Sequence, residues 1–243
     1  SEDLALRVES GDVRVKVREY RAPLAVMLLL DMSESMIASL DNVREVVLSS
    51  HKSAYRHRDR VGLTVFKGSE AVVVQQPTTN LNLVVRKLLK VGASDFTPLA
   101  AGMMKAWQAL RMEKRRDKDI VPVLVIVSDG IVNVPLEQPL SAFTRSAFSN
   151  PAQADTLDAA HVVAKEKIQT IIVNTDHRAE EVTQPSFLTK AGARWFTPTG
   201  FLIELAKVTN GYYCGLVGGR EDFGLVPRWR RLKGKPLREA LAD

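Results

Sequence analysis

Two uninterrupted apolar runs, Leu24 to Leu30 and Ile120 to Val127, stand out in a chain whose apolar and polar residues otherwise recur at helical or strand spacing. Short runs rich in leucine, valine and isoleucine are expected of strands buried on both faces of a sheet. Val61 to Phe66 and Glu70 to Gln75 flank Lys67-Gly68-Ser69, the pattern of a β-hairpin. Ile37 to Arg56 places Leu40, Val43, Val46, Val47, Ala54 and Tyr55 in a helical rhythm. Asn80 to Lys90, Leu99 to Lys114, Ala154 to Lys167 and Phe201 to Thr209 are further predicted helices, and Thr170 to Asn174 and Tyr212 to Leu216 further strands. Alternating strands and helices predict an α/β fold. It is doubly wound, with a mostly parallel sheet, one antiparallel edge strand from the hairpin and helices on both faces, in the manner of Rossmann-like folds.

Around this domain, expected over residues 22–217, lie a basic arm or strand over 1–21 and a basic tail over 218–243. In the arm Val13, Val15 and Val17 alternate with Arg14, Lys16 and Arg18, the pattern of a solvated edge strand. Pro135, Pro139 and Pro151 break the helical rhythm, so Val134 to Ala154 is expected to be a long surface loop suited to partner contact, and Glu180 to Pro198 a second such region.

With 243 residues, 45% of them hydrophobic, the chain can bury one sizeable core. Its single cysteine, Cys214, rules out an intrachain disulfide framework and fits a reducing compartment; a packing role is expected of it. No stretch approaches the roughly 20 apolar residues of a membrane span, and no signal peptide is visible, so a soluble protein is expected. The start at Ser1-Glu2-Asp3, without methionine, fits a piece cut from a longer chain.

Candidate chemistry gathers where the apolar runs stop. Asp31-Met32-Ser33-Glu34-Ser35 follows the first run and Ser128-Asp129-Gly130 the second, while Thr97-Pro98-Leu99 precedes a helix. Open α/β sheets bind ligands beyond the carboxyl ends of their strands, and hard divalent cations prefer oxygen donors. Taken alone, the first of these segments also suits an ordinary helix N-cap. Taken together, the order Asp-x-Ser-x-Ser, Thr, Asp resembles the metal-ion-dependent adhesion site of von Willebrand factor A domains. That resemblance implies that Ser33, Ser35 and Thr97 supply hydroxyls to one Mg²⁺ or Mn²⁺, with Asp31 and Asp129 acting directly or through water. A coordination position left open would then invite a partner's carboxylate.

At finer grain, Lys52-Ser53-Ala54-Tyr55-Arg56-His57-Arg58-Asp59, Gln76-Pro77-Thr78 and Phe96-Thr97-Pro98-Leu99-Ala100 are similar to segments of the carboxy-terminal domain of magnesium chelatase D subunits, over roughly residues 14 to 217. Three departures stand out: Glu34 replaces a usual glycine, Ser94-Asp95-Phe96 replaces a glycine-rich run, and Ser128 stands where threonine is usual. The resemblance implies a non-catalytic module of an ATP-dependent complex that inserts Mg²⁺ into protoporphyrin IX. Its partners would be the ATPase I subunit and the porphyrin-binding H subunit, in the cytoplasm or a plastid stroma. A free-standing adaptor or adhesion module with an unrelated partner is the alternative.

No phosphate-binding loop occurs, since Gly234-Lys235 is followed by proline, so no nucleotide site is expected in this chain. No Gly-x-Ser-x-Gly elbow surrounds Ser33, and His51, His57, His161 and His177 show no ligand spacing, so no catalytic centre is expected either. The formal charge is +6, and residues 220–243 carry seven basic against four acidic side chains. Without a nucleic-acid module, Arg228, Arg230, Arg231, Lys233 and Lys235, with Glu34 nearer the metal motif, are assigned to contact with a protein partner, acidic where it meets the tail, rather than with nucleic acid. Arg111 to Lys118 reads as the solvated end of a helix.

Overall fold

The computed structural model describes residues 22–32, 58–92, 96–175, 187–190, 193–216 and 225–227. The predicted arm around Val13, the predicted helix Ile37 to Arg56 and the tail beyond 227 lie outside them. A seven-stranded sheet runs in the order β3 (Glu70–Thr78), β2 (Arg60–Lys67), β1 (Leu24–Leu30), β4 (Val121–Ser128), β5 (Gln169–Asn174), β8 (Tyr212–Leu216) and β9 (Leu225–Pro227). β2, β1, β4, β5 and β8 are parallel, and β3 is the expected antiparallel edge strand. The short β9 pairs antiparallel with β8 at the other edge.

Strand periodicity divides the core in two. Ala25, Met27 and Leu29 of β1 and Leu124 and Ile126 of β4 face α2 (Leu99–Arg116), α4 (Pro151–Lys165) and α5 (Pro198–Val208). Leu28 and Leu30, with Val123 and Val127, face the opposite side, where α1 (Leu81–Leu88) contributes Val84, Val85 and Leu88. The two apolar runs are therefore buried on both faces, which explains why their sequences do not alternate. Gly102 lets α2 lie close to the sheet, since a Cβ there would stand 2.6 Å from Leu29 Cδ1 and 2.9 Å from Phe66 Cε1. Cys214 packs in the second core layer, and burial pushes its thiol up to about 11, in keeping with a structural side chain.

Two predicted loops prove to hold regular structure. Within Val134 to Ala154, Ser141 caps the short helix α3 (Ala142–Ser146), and α4 starts at Pro151 under an Asn150 cap. Within Glu180 to Pro198, β6 (Phe187–Lys190) and β7 (Ala193–Phe196) form an antiparallel pair, and Pro198 opens α5 under a Thr197 cap. In both places a proline that reads as a breaker stands in the first turn of a helix, where its missing N–H costs nothing.

The segment between β4 and α4 is pinned from beneath. Asp155, fully buried on α4, receives Arg145 Nε at 2.9 Å and Arg145 Nη2, and also accepts from Leu136 N at 2.8 Å. Arg145 Nη2 further donates to Leu136 O at 2.7 Å. Removing one member of such a pair strands a buried charge, so Arg145→Ala is expected to cost about 3 kcal/mol of unfolding free energy in denaturant titration. One turn along α4, burial raises the Asp158 carboxyl above the usual carboxylate range; Asp155 adds to the rise, while a Thr144 hydrogen bond and His161 oppose it. A carboxyl raised in the folded state favours folding when protonated and loses that contribution as pH increases. Asp158→Asn is therefore expected to raise the melting temperature at pH 7, and the difference should close on acidification to about pH 4.

Candidate metal centre

β1, β4 and β5 end side by side, with Leu30 opposite Val127 and Ser128 opposite Asn174. This register sets Asp31 beside Ser128, an arrangement held by Asp31 N donating to Val127 O at 2.9 Å and Thr175 N donating to Ser128 O at 3.2 Å. Asp31 is 1% exposed. Ser128 Oγ donates to Asp31 Oδ2 at 2.9 Å and accepts from Gly130 N at 3.1 Å, while Thr97 Oγ1 donates to Asp31 Oδ1 at 3.5 Å. Thus a buried carboxylate meets two hydroxyls that are 66 and 97 positions away in the chain.

Each contributor has its own support. Thr97 stands just before α2, and its N–H donates to Asn133 Oδ1 at 2.8 Å, which ties the Thr97 loop to the segment after β4. Asp129 Oδ1 accepts from Ile131 N at 2.9 Å, folding the chain into a tight turn immediately after Ser128. Gly130 completes that turn at φ +86°, and a Cβ there would stand 2.4 Å from Pro198 O at the start of α5. Only glycine suits both the backbone angle and the close approach. Deeper along the same crest, Asn174 Nδ2 donates to Thr199 Oγ1 at 3.2 Å and to Tyr213 OH at 2.9 Å.

Of the sequence-predicted ligands, Asp31 and Thr97 come into contact, and Asp129 follows Ser128 at the same sheet end. Ser33, Ser35 and Glu34 lie outside the described residues, as do Arg228, Arg230, Arg231, Lys233 and Lys235. Ser128, noted in the sequence only as a departure from a usual threonine, and Asn133 are contributors that were not among the predicted ligands. Their role follows from pairing register and loop contact, and the available signal was a hydroxyl residue closing an apolar strand. Among the described residues no group of three carboxylate, imidazole or thiolate side chains could hold an ion. A cation placed here would draw mainly on hydroxyls and on Asp31 and Asp129, a donor set that suits a hard divalent ion.

Residues 26–131 match the family model of the von Willebrand factor type A domain. The fold is that of von Willebrand factor type A domains. It is 26% identical over 197 residues to the magnesium-chelatase 67 kDa subunit of Chlorobaculum parvum, covering 79% of this chain and 31% of that subunit. It is 25% identical over 212 residues to the magnesium-chelatase 60 kDa subunit of Rhodobacter capsulatus, covering 87% of this chain and 33% of the subunit. The chain thus spans about a third of the length of these relatives. Among solved structures, the SpRpn10 VWA domain superposes with a TM-score of 0.51 at 13% identity, covering 79% of this chain and 87% of that one, a likeness of fold. No helix among the described residues is long and apolar enough to cross a membrane.

The Ser128 hydroxyl holds one oxygen of the buried Asp31 carboxylate. Replacing it with alanine removes a charge-assisted hydrogen bond from a buried carboxylate. Ser128→Ala is expected to lower unfolding free energy by about 2 kcal/mol in a chemical denaturation experiment.

Proposed function

We propose that this A domain is a metal-dependent protein-interaction module of a magnesium chelatase-like complex, the part that docks a partner subunit rather than the part that performs chemistry. The observation carrying this reading is the convergence of Asp31, Thr97 and Ser128 at the carboxyl ends of β1 and β4, beside Asp129. Asp31, Thr97 and Asp129, with Ser33 and Ser35, are the residues that would hold Mg²⁺ or Mn²⁺. When bound, such an ion supplies a positive point that attracts an oxygen ligand from a partner.

The protein's own part is to fix the donors. Ser128 orients Asp31, Asn133 holds the backbone of Thr97, and the Gly130 turn places Asp129 at the rim. Partner recognition is further supported by apolar residues beside the cluster: Phe96 directly precedes Thr97 and is 51% exposed, and Ile131, 56% exposed, follows the Asp129 turn. On the pinned segment beyond, Phe143 is 85% exposed. Apolar side chains held around a polar centre are what a partner-binding surface offers. Similarity to magnesium chelatase subunits over most of this chain points to the other subunits of such a complex, the ATPase and the porphyrin-binding protein, as the partners to test.

Calorimetric titration with Mg²⁺ and Mn²⁺ is the first test. Asp31→Ala should abolish the binding heat or weaken affinity by about a hundredfold, comparable to about 2.7 kcal/mol. Capture of the chelatase I and H subunits by the immobilised chain should fail after EDTA treatment and return when Mg²⁺ is restored. Metal binding unchanged in Asp31→Ala would remove the site, whereas metal binding without capture of either subunit would favour an unrelated partner.

A further inference from the structure

At the pole of the sheet opposite Asp31, the structure joins two basic segments that are far apart in sequence. Residues 111–118 at the end of α2 carry five basic and two acidic side chains, and Lys165-Glu166-Lys167 closes α4. They meet at a notch of about 230 Å³ lined by Leu110, Arg111, Lys114, Arg115, Pro122, Glu166 and Ile168. Leu110 and Ile168 are buried and make the apolar floor, while Arg111 and Arg115 stand exposed at the rim.

The positive groups there are held rather than loose. Arg111 lies over the Trp107 ring at 5.2 Å from its centroid, and its Nε is 3.8 Å from Glu166 Oε1. Lys114 Nζ donates to Ile120 O at 2.9 Å and to Lys118 O at 2.5 Å, so its charge closes the end of α2 at the base of the notch. Cations at the carboxyl ends of helices are favoured by the helix dipole. Glu113 on the same helix end is taken up by the fold: buried, it pairs with Arg60 Nη1 at 2.6 Å and with Arg116 Nη1 at 2.9 Å. Glu166 alone among the carboxylates lines the notch, in a long contact with Arg111.

We propose that this notch is a second docking surface of the domain, and that it takes an acidic polypeptide segment of a partner protein. A glutamate side chain matches it: the aliphatic stem can rest on Leu110, Pro122 and Ile168 while the carboxylate displaces Glu166 from Arg111 and meets Arg115. A nucleic-acid backbone matches it less well, because the ring of Trp107 is covered by Arg111 instead of offered for base stacking. The surface is independent of metal and lies at the other end of the strands from Asp31. One domain could thereby hold two partner segments at once.

The test uses the 243-residue chain and fluorescence anisotropy with a labelled oligoglutamate peptide and a labelled oligothymidine of matching charge. The peptide should bind at low salt, weaken steeply toward physiological salt as exposed charges are screened, and be indifferent to EDTA and to Asp31→Ala. The combination Arg111→Gln, Arg115→Glu and Lys118→Glu should weaken peptide binding at least about tenfold, while Arg115→Lys with Lys118→Arg should preserve it. Glu166→Gln should tighten it severalfold by removing the resident carboxylate. Mg²⁺ titration and the melting temperature of each variant report that the domain is intact. Peptide binding that persists in the charge-reversed variant, or that is lost instead on neutralising Arg228, Arg230 and Arg231, would overturn the assignment. Tighter binding of oligothymidine, lost in the same variant, would reassign the notch to nucleic acid.

Discussion

The parallel pairing of β1 with β4 is the constraint on which the candidate centre depends. Asp31 follows the last residue of one apolar run and Ser128 ends the other, and only the register that sets Leu30 opposite Val127 brings them together. A shift of one residue would reverse which side chains of β1 meet α2 and which meet α1, stranding apolar surface on the wrong face. Burial of both strand faces therefore fixes the position of a carboxylate that is itself almost wholly buried. Packing and chemistry share one register.

The same economy appears around the crest. Thr97 lies where α2 begins, and Gly102 lets that helix approach β1 closely enough for the Thr97 hydroxyl to reach Asp31. Asn133 and the Gly130 turn tie the segment after β4 to both neighbours. Farther along, Arg145 and buried Asp155 clamp Leu136, so the stretch that carries Phe143 leaves a fixed base. The exposed Phe143 is thus carried on a stretch supported by contacts made within the fold.

Much of this was legible from sequence because it rests on local pattern. The runs Leu24 to Leu30 and Ile120 to Val127, the hairpin about Gly68 and the long helix from Leu99 all follow from periodicity and turn residues, as does the parallel sheet they build. Pro151 misled, since a proline serves equally as a breaker and as the first residue of a helix, and only the preceding Asn150 cap tells the two apart. The family motif identified Asp31, Thr97 and Asp129 as candidates. The contacts of Ser128, Asn133 and the Arg145 to Asp155 pair were not legible, because their meaning lies in which distant residue they meet. The basic notch was hidden for the same reason: Arg111 to Lys118 looks like an ordinary solvated helix end until α4 brings Lys165 to Lys167 beside it.

Holding a divalent cation at the end of the sheet is the role proposed for the carboxylate buried between β1 and β4. Anomalous scattering from crystals of the chain grown with Mn²⁺ locates such an ion directly. That role predicts one strong peak bounded by Asp31, Thr97 and Asp129, and its disappearance in Asp31→Ala crystals grown identically. Peaks only elsewhere on the surface, or none at saturating Mn²⁺, would contradict it and leave the Asp31 cluster as a structural hydrogen-bond network.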